Sequence, residues 1–247
     1  MQKIVNGTLT QYQTTNSKQK NTLLVLHGWG QSGSNWQTIA NLLPKNYQIV
    51  LLDLPGFGGT EHLPDNPSIP EYTQFVFEFI KKLNLKKPAI LGHSFGGQIA
   101  INLTAKYPTL LFQLILLSPA GIRNRSKKQK LKTRVYKKFK FIKKILPKSI
   151  IQLILKQLTS TDYLNASSQH KQILKQIVIQ DLTNKLNKIT TPTTILWGSE
   201  DKEIPYSGKI MANLIPNSKL IVLYGQDHNP HLNKPQDLAQ AINQNLK

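Results

Sequence analysis

Short runs of consecutive apolar residues recur along the chain and alternate with longer segments of helical periodicity. The apolar runs predict strands at 3–5, 8–10, 22–26, 48–52, 89–91, 114–117, 194–197 and 220–223. Helical periodicity falls near 35–43, 71–83, 97–107, 206–214 and 236–246. Continuous apolar strands separated by helix-length segments indicate a parallel sheet that is covered on both faces. The pattern therefore predicts an α/β fold with a mostly parallel twisted sheet of about eight strands, opened by a hairpin at Asn6-Gly7.

The alternation of strands and helices stops between about residues 120 and 188, where the pattern is helical only. Apolar residues recur there every three or four positions, at Leu131, Val135, Phe139, Ile142 and Leu146. This spacing is typical of one buried helix face. Two further helices are predicted, at 150–158 and at about 166–180. We therefore predict a core domain formed by residues 1–120 and 189–247, with an inserted lysine-rich helical cap formed by residues 121–188.

The charge of the chain is concentrated in this predicted cap. The formal net charge is +20, and residues 120–160 contain 14 of the 32 lysines and arginines. A lysine-rich helix commonly presents a solvated face, but it can also attract an anionic lipid surface or an acidic acyl carrier protein. An anionic substrate is a further alternative. Specific binding of nucleic acid is not expected, because basic charge is its only support, and the oligomeric state is left open.

Composition narrows the class of protein further. The chain has no cysteine, so disulfides and thiolate metal sites are excluded. The first residues lack the long apolar stretch of a signal peptide, and no run approaches the ~18 apolar residues needed to cross a membrane. A cytoplasmic enzyme without metal or other cofactor is therefore expected.

A serine lies in the sequence Gly92-His93-Ser94-Phe95-Gly96-Gly97, between a predicted strand and a predicted helix. In a sharp strand-to-helix turn the serine hydroxyl is exposed, and the residues two positions away must be glycines because a Cβ would clash. This order of strand, G-x-S-x-G and helix predicts a nucleophile at Ser94, with Gly92 and Gly96 as structural residues of the turn.

A nucleophilic serine requires a base, and the base requires a carboxylate that fixes its tautomer. His228 follows the predicted strand 220–223, and Asp201 follows the predicted strand 194–197. All three residues therefore lie at carboxyl ends of strands, the edge at which open parallel sheets carry ligand chemistry. The sequence predicts Ser94 as nucleophile, Asp201 as acid and His228 as base.

Stabilisation of the reaction intermediate requires two backbone N–H groups near the developing oxyanion. One is predicted at Phe95, directly after the nucleophile, and the other at Trp29, in the loop His27-Gly28-Trp29-Gly30 after the strand 22–26. Trp29 and Phe95 are also expected to contact substrate. His27 and Gly28 are predicted to be structural residues of this loop.

These segments together resemble the α/β-hydrolase superfamily along nearly the whole chain. The matching segments are LLVLHGWG (23–30), DLPGFGGT (53–60), GHSFGG (92–97), WGSEDKEIP (197–205) and DHNPHLNKP (227–235). The resemblance implies the α/β-hydrolase fold, the triad Ser94, Asp201 and His228, and the Trp29 and Phe95 amides as oxyanion hole. It also implies that the second histidine, His231, is structural. Asn233 departs from the acidic residue that relatives commonly carry.

A competing pattern occurs at Gly28-Trp29-Gly30-Gln31-Ser32-Gly33, which matches the dinucleotide-binding G-x-G-x-x-G, with Asp53 at the end of the next strand. The bulky Trp29 and Trp36 disfavour a bound pyrophosphate, and the pattern leaves Ser94, Asp201 and His228 unexplained. Asp53 is instead expected to order the turn 55–59. His62 and His170 are expected to be solvated.

The predicted reaction is hydrolysis of a carboxylic ester or related acyl bond through an acyl-enzyme, in a pocket that the cap lines and gates. Three alternatives stay open: a carbon–carbon hydrolase of vinylogous diketones, a hydrolase of acyl-carrier esters or thioesters, and a non-catalytic ligand-binding or membrane-associated module on the same fold. Dehalogenase-like and epoxide-hydrolase-like chemistry is disfavoured, because those members carry an aspartate where Ser94 stands.

Overall fold

The computed structural model describes residues 1–17, 19–122 and 168–246, whose strands form one sheet. The strands are β1 (Gln2–Val5), β2 (Thr8–Thr15), β3 (Asn21–Leu26), β4 (Tyr47–Leu52), β5 (Ala89–His93), β6 (Gln113–Leu117), β7 (Thr193–Gly198) and β8 (Ser218–Leu223). They are ordered β1-β2-β4-β3-β5-β6-β7-β8. β2 runs antiparallel to β1 and β4, and the other neighbouring pairs are parallel. The predicted mostly parallel sheet is therefore confirmed.

The described helices lie where periodicity predicted them, except for the short helix Pro230–Asn233, which was not predicted. They are α1 (Gln37–Leu42), α2 (Ile69–Lys82), α3 (Phe95–Lys106), α4 (Ser168–Ile179), α5 (Gly208–Leu214), α6 (Pro230–Asn233) and α7 (Pro235–Asn243), with 3-10 turns at Gly33–Trp36 and Thr183–Lys188. α2 shows the local reasons for a helix start: Glu71 accepts hydrogen bonds from the Ser68 amide at 2.8 Å and hydroxyl at 2.6 Å, and a proline lies in the first turn.

The hairpin that opens the chain has the predicted turn, but its second strand is longer than expected. Asn6 and Gly7 have φ angles of 48° and 82°, as a two-residue type I′ turn requires. β2 continues to Thr15 instead of ending at residue 10, because its later residues pair with β4. Thr8, Thr10 and Tyr12 are buried on one face of β2. Buried and less buried positions thus alternate along the strand, but two of these three buried positions are threonines, so apolar residues alone did not show the alternation.

Two apolar layers cover the faces of the sheet. On β3, Leu24 and Leu26 belong to the cluster that includes residues of α2 and α3, whereas Leu23 and Val25 belong to the cluster that includes residues of α1 and α7. Successive side chains of a strand point to opposite faces. The uninterrupted apolar run of β3 therefore reflects a strand buried on both faces.

Of the predicted cap, residues 121–122 and 168–188 lie within the described residues. The predicted helices that contain Leu131–Leu146 and 150–158 lie outside them, as does the segment that carries most of the excess charge. α4 corresponds to the helix predicted at about 166–180 and lies between β6 and β7 in the chain. Its Ile173 and Ile177 are buried in the same cluster as α2 and α3. In the described ranges, no helix has both the length and the apolar character needed to cross a bilayer.

The strand order defines where the predicted site residues meet. β4 and β5 lie on opposite sides of β3. After β3 the chain continues to β4 on one side of the sheet, and after β5 it continues to β6 on the other side, so the two connections separate between the carboxyl ends of β3 and β5. Ligands of open α/β sheets bind in the crevice at such a point. The loop 27–30, Ser94, Asp201 and His228 all follow carboxyl ends of strands at this edge.

Candidate active site

Ser94 occupies the sharp turn between β5 and α3. Its φ of 50° and ψ of −110° lie in a region that non-glycine residues rarely adopt, and such a conformation costs about 1–3 kcal/mol. Three backbone hydrogen bonds of 3.1 Å hold it: the Ser94 amide donates to Leu117, and the Ser94 carbonyl accepts from Gln98 and Ala120. A strained serine held this firmly is consistent with the turn that the sequence predicts.

The glycines around Ser94 are required by the close approach of backbone segments. A Cβ on Gly92 would lie 2.7 Å from the carbonyl oxygen of Gly96. A Cβ on Gly96 would overlap the carbonyl group of Leu26, at the end of β3. The Gly96 amide donates to the His27 carbonyl at 3.1 Å, which joins the start of α3 directly to the loop after β3.

Asp201 and His228 are in direct contact across the ends of β7 and β8. His228 Nδ1 lies 2.8 Å from Asp201 Oδ2, and both side chains are buried. The second carboxylate oxygen, Oδ1, accepts the amides of Glu203 at 2.9 Å and Ile204 at 3.1 Å. Because an ionised carboxylate can only accept, Nδ1 carries the proton and Nε2 of neutral His228 keeps a lone pair. The ring is thus arranged to take up a proton at Nε2.

Asp201 remains ionised although it is buried. Burial alone would raise the pKa of the carboxyl, but the hydrogen bond that it accepts from His228 acts against this. The Ile204 amide and the Ser118 hydroxyl add to this effect, and the net result is a lowered pKa of Asp201. Asp201 can therefore hold the His228 ring as a carboxylate.

The loop that carries His228 is attached to its neighbours on both sides. Gln31 donates from Nε2 to Asn229 Oδ1 at 3.0 Å and accepts the Gly28 amide at 3.2 Å. Asn229 in turn donates to Glu203 Oε1 at 3.1 Å. These side chains link the loops after β3, β7 and β8, so the predicted oxyanion, acid and base segments form one hydrogen-bonded edge.

His27 holds the loop of Trp29 against the neighbouring loop after β4. Its Nε2 accepts the Leu54 amide at 2.9 Å, so the ring proton is on Nδ1, which lies 2.8 Å from the Gly28 carbonyl. Burial lowers the pKa of His27 to about 4, and the hydrogen bond to Gly28 and the charge of Asp53 oppose this only in part. His27 is therefore a neutral structural ring.

The backbone amides of Trp29 and Phe95 are the two predicted oxyanion donors. In the part of the chain that the structure describes, neither amide donates a hydrogen bond to another protein group. Their side chains are in contact, with ring centroids 5.4 Å apart in an edge-to-face arrangement. The loop after β3 and the first residue of α3 thus meet beside Ser94.

Aromatic side chains surround this meeting point. Trp29 packs against Phe57 at 4.9 Å and against His170 of α4 at 5.8 Å, and Tyr72 packs against Phe95 at 5.0 Å. His170 Nε2 also lies 3.0 Å from the Gly56 carbonyl. The expectation that His170 is simply solvated is therefore wrong, because it joins α4 to the core beside Trp29. His62 is exposed, as expected, and borders the His170 ring.

Asp53 has the turn-ordering contacts that the sequence favoured over a dinucleotide site. Its Oδ1 accepts the Gly33 amide at 2.7 Å, and its Oδ2 accepts the Gly59 amide at 2.8 Å. Both oxygens thus bind backbone N–H groups of their own chain. Across residues 1–17, 19–122 and 168–246, no cluster of three or more histidine, aspartate or glutamate residues is arranged to hold a metal ion.

Sequence reasoning missed several residues that support the site. Ser118 directly follows β6, is buried with a φ of 40°, and is one of the groups that lower the pKa of Asp201. A polar residue between a buried strand and Pro119 was the available signal. Gln31 and Asn229 carried no comparable signal, because their hydrogen bond joins residues 198 positions apart.

Comparison with known proteins agrees with the fold. A family model described as alpha/beta hydrolase fold matches residues 21–139. Monoacylglycerol lipase ABHD6 of Mus musculus is 27% identical over 90% of this chain and 74% of its own length. The uncharacterized hydrolase YugF of Bacillus subtilis is 27% identical over 98% of this chain and 94% of its own length.

Solved structures lead to the same family. A putative lipase of Acinetobacter baumannii superposes with a TM-score of 0.78 at 27% identity, covering 97% of this chain and 88% of that one. The strand order, the turn at Ser94 and these similarities agree with one another. The chain therefore has the α/β-hydrolase fold.

Proposed function

We propose that the protein is a serine hydrolase that cleaves carboxylic esters through an acyl-enzyme intermediate. The observation that carries the proposal is the 2.8 Å contact between Asp201 and His228, whose ring lies 4.8 Å from that of His93, the residue before Ser94 in the strained turn. A buried carboxylate that orients a histidine next to a serine in such a turn serves the activation of a nucleophile.

In the proposed reaction, Ser94 Oγ attacks the ester carbonyl carbon while His228 Nε2 takes the hydroxyl proton. The oxyanion that forms is held by the amides of Trp29 and Phe95. The carbon–oxygen bond to the alcohol then breaks, and the alcohol leaves with the proton from His228. Water, deprotonated by the same ring, releases the acid and restores Ser94.

The proposed substrate class is an ester with an apolar acyl group. Trp29, Phe57, Phe95 and Tyr72 place aromatic surface beside the proposed oxyanion donors. The names of two relatives, a monoacylglycerol lipase and a putative lipase, support the same class. We further propose that the segment 121–188 covers this site, since α4 packs onto the core through Ile173 and His170.

The proposal is tested with p-nitrophenyl esters of increasing acyl length. The wild-type protein should hydrolyse them, and Ser94→Ala should lower kcat by at least about 10⁴-fold, because removal of the nucleophile leaves only binding and oxyanion stabilisation. Ser34→Ala, which removes an exposed hydroxyl of the 3-10 turn, is the matched control and should retain activity. Turnover that is equal in Ser94→Ala, or absent from the wild type for every acyl length, would contradict the proposal.

A further inference from the structure

Four buried rings form a continuous column behind the proposed catalytic residues. His93 packs against His228 on one side and His231 on the other, with centroid distances of 4.8 Å in both cases. His231 stacks on Trp36 at 4.3 Å with nearly parallel planes. The proposed reaction uses only His228 of these rings, so the column needs a separate explanation.

His93 makes a specific hydrogen bond to the backbone of the proposed base. Its Nε2 lies 2.9 Å from the carbonyl oxygen of His228. A carbonyl can only accept, so the His93 proton is on Nε2. Burial, reinforced by the neighbouring histidines, keeps the pKa of His93 well below its usual value, and the ring is neutral. The hydrogen bond therefore has a fixed donor.

The same ring also contacts the loop that carries Trp29. A Cβ on Gly28 would lie 2.8 Å from His93 Nδ1, so Gly28 packs directly against this nitrogen. His93 is also the residue that precedes Ser94 in the chain. One side chain thus touches the segments of the proposed nucleophile, base and oxyanion donor.

The other nitrogen of His93 argues against a role in core packing alone. In the described part of the chain, buried Nδ1 has no hydrogen-bond partner. A buried polar atom without a partner costs about 1–3 kcal/mol. If the His93 ring served only to fill space, phenylalanine at this position would give a more stable protein. Packing alone therefore does not explain His93, and the feature left to explain it is the hydrogen-bond donor at Nε2.

We propose that His93 is a positioning residue, which sets the His228 loop against Ser94 through its hydrogen bond to the His228 carbonyl. The inference rests on the proposed function and adds a residue to it. A shift of the base by about 1 Å can cost two orders of magnitude in rate. Loss of the His93 donor should therefore lower kcat more than it changes KM.

The test compares His93→Phe, which keeps a ring but removes the donor, with His93→Gln, which keeps an amide donor at similar reach. We expect His93→Phe to lower kcat about 10- to 100-fold with KM changed less than about twofold, and thermal stability no lower than that of the wild type. His93→Gln should recover most of the lost activity. His93→Leu removes the donor with a smaller side chain and replaces His93→Phe if that variant is insoluble.

His231→Phe is the matched control, because it keeps the stacked ring and neither nitrogen of His231 has a hydrogen-bond partner in the described residues. It should retain activity. The inference is overturned if His93→Phe keeps wild-type kcat, if His93→Gln is no better than His93→Phe, or if His231→Phe loses as much activity. If one of these results is found while Ser94→Ala is inactive, only the inference on His93 fails and the proposed function stands. If Ser94→Ala is active, the proposed function itself is overturned.

Discussion

Three buried histidines, His27, His93 and His228, are each held in one tautomer by a partner that allows only one role. The Asp201 carboxylate requires a proton on His228 Nδ1. The Leu54 amide requires a lone pair on His27 Nε2, and the His228 carbonyl requires a proton on His93 Nε2. Because the donor and acceptor of each hydrogen bond are fixed in this way, replacing a single partner atom can change the tautomer of the histidine without changing the shape of the side chains.

Asp201→Asn tests this at the proposed acid. The amide oxygen can still accept the Glu203 and Ile204 amides, but its NH₂ group faces His228 Nδ1 and favours the tautomer with the proton on Nε2. We expect kcat to fall by about 10³–10⁴-fold with the fold retained, measured by ester hydrolysis and circular dichroism. Asp227→Asn, which changes an exposed carboxylate in the His228 loop, is the control. Equal losses in both variants would contradict the assigned role of Asp201.

Gly96→Ala tests the packing of the turn. The added Cβ would overlap the Leu26 carbonyl group, and relief requires movement of β3 against α3. We expect the free energy of unfolding in urea to fall by about 3 kcal/mol or more. Gly225→Ala also changes a glycine, at φ 64°, but its Cβ would meet nothing closer than Lys234 Nζ at 3.6 Å. It should cost only about 1–2 kcal/mol, and a reversed order of the two variants would refute this explanation.

At the scale of elements, α4 is the described part of the proposed cap, and it is attached to the core at several points. Gln98 Nε2 donates to the Ile177 carbonyl at 3.1 Å, and the Leu182 amide donates to the Gly121 carbonyl at 2.8 Å. Ile173 and Ile177 lie in the main apolar cluster. α4 and the core should therefore unfold together.

Ile173→Ala measures this attachment. Ile173 is fully buried, and its truncation should lower the free energy of unfolding by about 2–5 kcal/mol. Val178→Ala, on the same helix but 67% exposed, should change it by less than about 0.5 kcal/mol. Chemical denaturation monitored by fluorescence gives both values. If Ile173→Ala were as stable as Val178→Ala, α4 would not be part of the cooperative core.

At the scale of the whole molecule, buried neutral histidines make stability depend on pH. Burial lowers the pKa to about 4 for His27 and to about 3 for His231, and the pKa of His93 is also well below its usual value. In the unfolded chain these histidines bind protons near pH 6.5, whereas in the folded chain they stay neutral until the pH is much lower. Their contribution to the free energy of unfolding is therefore fully present above about pH 6.5 and is lost as the pH falls toward 4.

The free energy of unfolding should be lower at pH 5 than at pH 7.5. The lowered pKa of His27 and that of His231 should each account for about 2 kcal/mol of this difference. Urea denaturation at both pH values measures the loss. His231→Phe removes one titrating ring and should lose less stability over this interval than the wild type. The same loss in both proteins would show that His231 does not contribute to the pH dependence.

The core of the fold could be predicted because burial on both faces leaves continuous apolar runs, as at Leu23–Leu26. β2 was predicted too short because residues 11–15 contain a single apolar residue, Tyr12, and so show no apolar run. Positions at strand ends follow from the same pattern, so Ser94, Asp201 and His228 could be proposed from sequence. The contact between His93 and the His228 carbonyl could not, since it joins residues 135 positions apart through loop and rotamer geometry.

The most direct test of the central claim is covalent modification of Ser94. A fluorophosphonate probe reacts with an activated serine, and intact-mass and peptide mass spectrometry locate the adduct. We expect stoichiometric labelling at Ser94, parallel loss of ester hydrolysis, and no labelling of Ser94→Ala. Hydrolysis that survives complete exposure to the probe, or an adduct on another residue that accompanies the loss of activity, would contradict the central claim.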